Sequence, residues 1–359
     1  HSQPVFIDLF SGSGGLSLGL EQAGFFPLYV NELNKDALET YLINREKNYP
    51  HLRKKYFSQD IKDVINKKNF FNKLFKEFKK DFGRDFIENP VDLVVGGPPC
   101  QGFSGMGVRR SYSVEKKQLP SNHLFQDMAF FIHKVKPKMF LFENVQGLLN
   151  AKWTEGGTKG EIFRDILTTF KKIPNYDVKY KLVLAKDYGV PQNRPRVLIV
   201  GIHQKLGIPI CDSEDALENK FLPEPSYDYP NPMDVFSDLI DKKFVNGGET
   251  TKYPRKPQTL WQKEIRKKRK SNISLKSNEL TEHKYSKHSE KIIEKFSFMI
   301  QNNGEIPKEL KTRKFSQKVL PAKWGNKGPT ITVTSLPDDY VHFSQPRSLT
   351  VREWARLQT

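Results

Sequence analysis

The chain has 359 residues, room for one large domain or two of ordinary size, and its 37% apolar content includes no run as long as a membrane span. Lys and Arg number 59 against 41 acids, a net charge of +18, and residues 252–330 alone hold 21 Lys or Arg against 7 Glu, a net of +14. So concentrated an excess points to a polyanionic partner rather than to a basic face that serves only solubility, because each neutralised phosphate releases condensed counterions.

Two cysteines, Cys100 and Cys211, cannot build a disulfide framework or a zinc site by themselves. The N-terminal HSQPVFIDLF lacks the basic region and long apolar core of a signal peptide. The expected compartment is therefore the reducing cytoplasm.

Val5–Phe10 reads as a strand that enters a Gly-rich turn, FIDLFSGSGG, and then a helix over Leu16–Gln22. Glycines admit a ligand close to the backbone, and the helix that follows offers its N-terminus. The spacing G-x-G-G is not the dinucleotide pattern G-x-G-x-x-G. A dinucleotide loop, a methyl-donor loop and a plain βα turn all remain open at this point. The next strand, Leu28–Asn31, ends at Glu32, a carboxylate suited to two ribose hydroxyls or simply a solvated strand end. A helix is expected over Lys35–Arg45, after which Asp60 and Ile61 could receive an adenine amino group and pack its face.

A third strand, Leu93–Val95, leads into GGPPCQGFS, where two glycines and two prolines force a rigid turn with Cys100 at its tip. Most cysteines are buried small hydrophobes. One held in a polar, Pro-fixed loop suits a nucleophile better, since the reactive thiolate needs exposure and nearby positive charge. The GMGVRRSYSVEKKQLPSN that follows reads as a long basic loop able to close over a polyanion. A helix is expected over His123–Val135 and a strand over Met139–Phe142, running into FENV with Glu143 at its end. Strands Leu182–Leu184 and Val197–Ile202 follow. Before the second of these, QNRPRV sets Arg194 and Arg196 two apart, on one face of an extended segment, either converging on one anion or carbonyl or salt-bridged at a strand end.

Strand and helix alternation through residue 202 argues for a mainly parallel sheet covered by helices, with ligands at the carboxyl ends of its strands. Residues 203–346 change texture: scattered prolines, many lysines, weak periodicity and extended stretches such as Leu222–Pro232. A helical pattern resumes in SLTVREWARLQT, with Thr350 as N-cap and Glu353 three residues on.

Taken in order, DLFSGSGG, GGPPCQGFS, ENV and QNRPRV resemble the DNA cytosine-5 methyltransferase family of bacterial restriction-modification systems, and RSLTVREWARLQT adds a further motif. The resemblance implies an α/β fold: a Rossmann-like S-adenosylmethionine-dependent methyltransferase sheet with helices on both faces, plus a smaller irregular recognition domain. Residues 1–202 with 347–359 would form the catalytic domain, and 203–346 the target recognition domain.

It implies S-adenosylmethionine as donor, S-adenosylhomocysteine as product, and no metal. Phe10, Ser11, Gly12, Gly14, Gly15, Glu32, Asp60, Ile61, Pro98 and Leu124 would line the donor pocket. Cys100 would be the nucleophile, Glu143 would hold the cytosine N3 and amino group, and Arg196 its O2 with Arg194 close by. Gln101, Ser104, Arg109 and Arg110 would face duplex DNA. The expected protein is a bacterial monomer on the nucleoid, without membrane association, with a cognate restriction endonuclease as possible partner.

The family normally adds a Gly-Asn-containing element after RSLTVREWARLQT. The chain ends at Thr359 before it, so a truncated chain, or a donor pocket completed by a second polypeptide, is expected, with weak donor binding. Two rivals stand beside this reading. One is a transfer RNA cytosine-5 methyltransferase, for which an insert of 144 residues is large; the other is a non-catalytic DNA-binding protein, against which an intact Cys100, Glu143 and Arg196 argue. A dinucleotide-dependent oxidoreductase leaves the PPCQ loop unexplained.

Overall fold

VFIDL, residues Val5–Leu9, is buried along its whole length and forms β1 of a seven-stranded sheet. A computed structural model describes residues 3–99, 123–208, 222–226, 230–266, 278–311, 317–321, 329–331 and 340–359. The sheet continues with β2 (Phe26–Asn31), β3 (Phe57–Ser58), β4 (Leu93–Gly96), β5 (Met139–Val145), β6 (Tyr176–Leu184) and β7 (Pro195–His203), in the order β3-β2-β1-β4-β5-β7-β6.

The pairs β1–β2, β1–β4, β2–β3 and β4–β5 are parallel, whereas β7 lies antiparallel to β5. Period-two alternation splits the side chains of the central strands between two faces. Ile7, Leu9, Val94, Phe140 and Phe142 enter the main apolar cluster, while Phe6, Leu93 and Val95 join a smaller cluster on the other side. A parallel sheet needs cover on both faces, and helices supply it. Leu16 and Leu20 of α1 (Gly15–Gln22) pack against the smaller cluster. On the same Phe6 and Asp8 side α2 (Lys35–Arg45) joins α1 through Tyr41, and His51 of α3 (Pro50–Lys54) bonds the Pro27 carbonyl of β2. The Ile7 and Leu9 face is covered by α4 (Ile61–Ile65), α5 (Phe70–Phe82), α6 (Leu124–Val135) and α7 (Glu161–Lys171).

The chain divides into two compact units. The first holds the described residues up to Val183 and from Pro195 to Glu224, and so contains the sheet. The second holds those of Leu184–Arg194, of Pro225–Arg269 and from Ile273 to Thr359. Its helices are α8 (Pro232–Phe236), α9 (Leu260–Ile265), α10 (Glu290–Gln301) and α11 (Val351–Gln358), with a short parallel pair β8 (Lys318–Val319) and β9 (Tyr340–Val341).

Val235, Phe236, Leu239, Leu280, Leu320, Leu349 and Leu357 form the apolar core of this second unit. Thr350 caps α11 as its sequence suggests: its hydroxyl accepts the Glu353 N–H, and the Glu353 carboxylate accepts the Thr350 N–H (2.9 Å). Ion pairs are buried beside that core. Arg347 grips fully buried Glu353 through both terminal nitrogens (2.8 and 2.7 Å), and Arg266 and Arg356 share Asp238. Arg266 also stacks over Tyr253, 3.5 Å from the ring centroid, so this arginine of the basic segment is engaged inside the fold. Among the described residues no helix is long and apolar enough to cross a membrane.

Candidate active site

Register brings the strand ends of the first unit to one edge. Leu9 lies beside both Asn31 and Gly96, Asn31 beside Ser58, and Gly96 beside Phe142. The next residues along the chain are Phe10, Glu32, Gln59, Gly97 and Glu143, so the Gly-rich turn, Glu32 and the starts of the GGPP and FENV segments emerge on this edge. Between β1 and β4 the direction of strand addition reverses, which is where open α/β sheets bind their ligands.

The Gly-rich turn starts at Phe10, whose φ of 56° is left-handed, as are those of Gly12 (55°) and Gly14 (91°). For Phe10 that conformation costs on the order of 1 kcal/mol, and the surrounding contacts sustain it. The Ser11 N–H donates to the Asn31 carbonyl (3.1 Å) and the Gly14 N–H to the Ser11 carbonyl (3.0 Å). Gly14 is required twice over. Its φ favours glycine, and a Cβ there would stand 2.6 Å from both Arg45 Nη1 and the Tyr41 ring.

Glu32 turns its carboxylate to this loop. Oε2 accepts the Gly12 N–H and Oε1 the Asn34 N–H, each at 2.8 Å, and the Asn34 side chain caps α2. Each oxygen keeps a second lone pair, which fits a pair of ribose hydroxyls. Asp60 caps α4 by accepting the Lys62 N–H at 2.8 Å, and Ile61 is buried behind it. Leu124 opens α6, half-buried against the main core. This combination of left-handed glycine turn, carboxylate and apolar wall is the donor set a nucleoside ligand asks for.

On the other side of the switch point, β4 runs out through Gly96 and Gly97 to buried Pro98. Asn144 Nδ2 donates to the Pro98 carbonyl at 3.2 Å, while its Oδ1 accepts the Val145 N–H. A Cβ on Gly97 would lie 3.0 Å from Glu143 Oε2. Arg196 stands opposite Val145 in the antiparallel β5–β7 register, and Glu143 opposite Leu198, which sets Arg196 and Glu143 diagonally on one face. Arg196 Nε meets Glu143 Oε1 at 2.5 Å, and its Nη1 donates to the Pro195 carbonyl.

β7 begins at Pro195, so Arg194 lies outside the strand, in the second unit, where its Nη1 donates to the Ile331 carbonyl (2.8 Å). Period-two spacing aligns two side chains only while the backbone stays in one extended strand. Cys100, Gln101, Ser104, Arg109 and Arg110 lie outside the described residues.

Sequence reasoning passed over a polar cluster behind the Gly-rich turn. Asp8, 1% exposed in the middle of β1, accepts a 2.5 Å hydrogen bond from Ser17 Oγ, which also bonds the Tyr41 hydroxyl. Burial raises the Asp8 carboxyl to about 7 against the opposing pull of Ser17 and Arg45, and burial also pushes the Tyr41 phenol up. The available signal was an acid at the centre of an otherwise apolar strand, VFIDL. Asn144 was likewise missed, although it stands next to Glu143 in the ENV motif.

A profile of the family described as C-5 cytosine-specific DNA methylase matches residues 5–359. The chain belongs to the C-5 cytosine-specific DNA methylase family. It is 30% identical over 364 residues to the Type II methyltransferase M1.HphI of Haemophilus parahaemolyticus, covering 99% of this chain and 77% of that protein. It is 29% identical over 372 residues to M.DdeI of Desulfomicrobium norvegicum, covering 98% and 77%. A crystal structure from an E. coli prophage, described as a DNA modification methyltransferase, superposes with a TM-score of 0.65 at 23% identity, over 99% of this chain and 88% of that one. That likeness carries the fold alone, a mostly parallel α/β sheet covered by helices. As a member of this family of DNA cytosine-5 methyltransferases, the chain is an enzyme of DNA methylation, and family members take their methyl group from S-adenosylmethionine.

Proposed function

We propose that this chain methylates C5 of a cytosine within a specific duplex DNA sequence through a transient bond between Cys100 Sγ and the C6 atom of an extruded base. The observation that carries the reading is the Glu143–Arg196 ion pair, packed against Gly97 three residues before Cys100. Cytosine C5 is a weak nucleophile while the ring is aromatic. Attack of the Cys100 thiolate on C6 forms the S–C6 bond and moves the ring electrons towards N3 and C5. Glu143, sharing a proton with N3 and accepting from the exocyclic amine, and Arg196, donating to O2, would draw off that charge as it develops.

Bound S-adenosylmethionine supplies an electrophilic methyl group, which C5 takes up. Loss of the C5 proton to solvent then breaks the S–C6 bond, expels Cys100 as a thiolate and restores the ring. Phe10, Ser11, Gly12, Gly14 and Gly15 with Glu32 would hold the donor's amino-acid and ribose portions, Asp60, Ile61 and Leu124 its adenine, and Pro98 would face its methionine end. A base inside a duplex cannot reach such a pocket, so the nucleotide must leave the stack.

In this reading Gln101, Ser104, Arg109 and Arg110 approach the DNA, and residues 203–346 recognise the target, gripping phosphates while a few side chains read base edges. Arg194, bonded to the Ile331 carbonyl, is given no direct contact with the base in this reading. The protein acts as a monomer on the nucleoid and partners a restriction endonuclease of the same specificity.

Duplex oligonucleotides carrying 5-fluorocytosine test the mechanism, because fluorine at C5 cannot leave as a proton does. A denaturation-resistant protein–DNA adduct, absent from Cys100→Ala, is expected. An adduct that survives in Cys100→Ala, or full methyl transfer by that variant, overturns the covalent route.

A further inference from the structure

Behind the donor turn lies a charged side chain that the chemistry above does not use. Arg45, the last residue of α2, is 4% exposed, and its guanidinium sits 3.9 Å from the centroid of the Tyr41 ring. Nη2 donates to the Gly14 carbonyl at 3.0 Å, Nη1 to the Tyr41 carbonyl at 3.3 Å, and Nε to Glu21 Oε1 at 2.6 Å. One planar fork therefore joins the N-cap of α1, the end of α2 and a carboxylate on the last turn of α1.

Gly14 needs such support. As N-cap of α1 it has no side chain to close the turn, and its carbonyl is fixed from outside by Arg45 Nη2. The neighbours reinforce the same point: the Tyr41 hydroxyl bonds Ser17 Oγ, which donates to Asp8 Oδ2 in β1. α2 also begins three residues after Glu32, and its N-cap Asn34 links the two through the bonded sequence Glu32–Asn34–Ala37. The element that orients Glu32 from one side of the turn thus carries Arg45 to the other.

We infer that Arg45 is a positioning residue for the nucleoside donor: by clamping the Gly14 carbonyl against α2 it holds the Gly12 N–H and the Glu32 carboxylate in the geometry that binds the ribose. This inference rests on the donor reading of the Gly-rich turn given above. A buried arginine that merely filled space would need neither a fork shared between two helices nor a glycine whose Cβ would collide with it. Lysine at this position keeps the charge but presents a single ammonium, unable to serve Gly14 and Glu21 together.

Isothermal titration of S-adenosylhomocysteine into the full chain tests this, alongside duplex DNA binding and far-ultraviolet circular dichroism. Arg45→Lys, which conserves charge and approximate volume, is expected to remain folded, to bind the ligand about tenfold more weakly, and to bind DNA as before; that loss matches one charge-assisted hydrogen bond. Arg45→Met is expected to lose more. Ligand affinity within twofold of wild type in Arg45→Lys overturns the inference, as does a parallel loss of ligand and DNA binding, which marks a general structural role. Glu32→Ala separates the two readings: if it binds the ligand as tightly as wild type, or if wild type binds none, the donor reading fails and this inference with it.

Discussion

Replacing Asp8 by Asn probes the polar cluster beneath the donor turn and yields a pH signature with a definite sign. The native carboxyl sits at about 7 because burial opposes its ionised form, against an ordinary 3.8. Between those values the unfolded chain is ionised at this position while the native protein keeps its proton. Native protein therefore binds more protons, and stability must fall as pH rises from about 4 to 7, then level off. The shift of about three pH units corresponds to roughly 4 kcal/mol, at about 1.4 kcal/mol per unit, with roughly 3 of it falling between pH 5 and 8.

Asn has nearly the shape of Asp and no charge to bury, so Asp8→Asn removes this slope. Urea unfolding followed by far-ultraviolet circular dichroism, at fixed ionic strength from pH 5 to 8.5, gives the stability difference between variant and wild type. Other groups titrate alike in both proteins and cancel. The difference is expected to shift in favour of the variant by roughly 3 kcal/mol across this range. A difference independent of pH refutes the assignment of a neutral, buried Asp8.

Gly97→Ala brings a Cβ to 3.0 Å from Glu143 Oε2, so the carboxylate must give way. The expected result is methyl transfer slowed about tenfold to a hundredfold in single turnover with unchanged S-adenosylhomocysteine affinity; unchanged transfer would place Glu143 away from the reacting base. Arg347→Met leaves Glu353 fully buried without its bidentate partner, and should destabilise the second unit by about 3–5 kcal/mol, read by calorimetric unfolding. The sign is set by the electrostatics: burial raises the Glu353 carboxyl, but Arg347 pulls it well below its ordinary value. A melting profile unchanged from wild type would show that the pair is not carrying that unit's stability.

Much of the candidate site could be read along the chain because each part is local. FIDLFSGSGG, GGPP and FENV are strand ends followed at once by polar or small residues, and strands that pair in parallel bring such ends to one edge whatever their order. The capping box of Thr350 and Glu353 is local in the same way, and it forms. The apolar spacing of α5, at Phe70, Phe71, Leu74, Phe75 and Phe78, is equally local.

What the sequence determined by itself was the presence of a βα sheet and the chemical types along its carboxyl edge, because period-two burial and turn residues act over a few neighbours. Only the tertiary structure decided which groups meet. It turned β7 antiparallel to β5, so that Arg196 reached Glu143, and it ended that strand at Pro195, so that Arg194 bonded Ile331 instead. It also drew Arg266 out of the basic segment onto Asp238, and carried Arg45 back to a glycine 31 residues earlier in the chain. Long side chains choose partners by distance in space and by the cost of burying a charge alone, and neither is written in the spacing of residues along the chain.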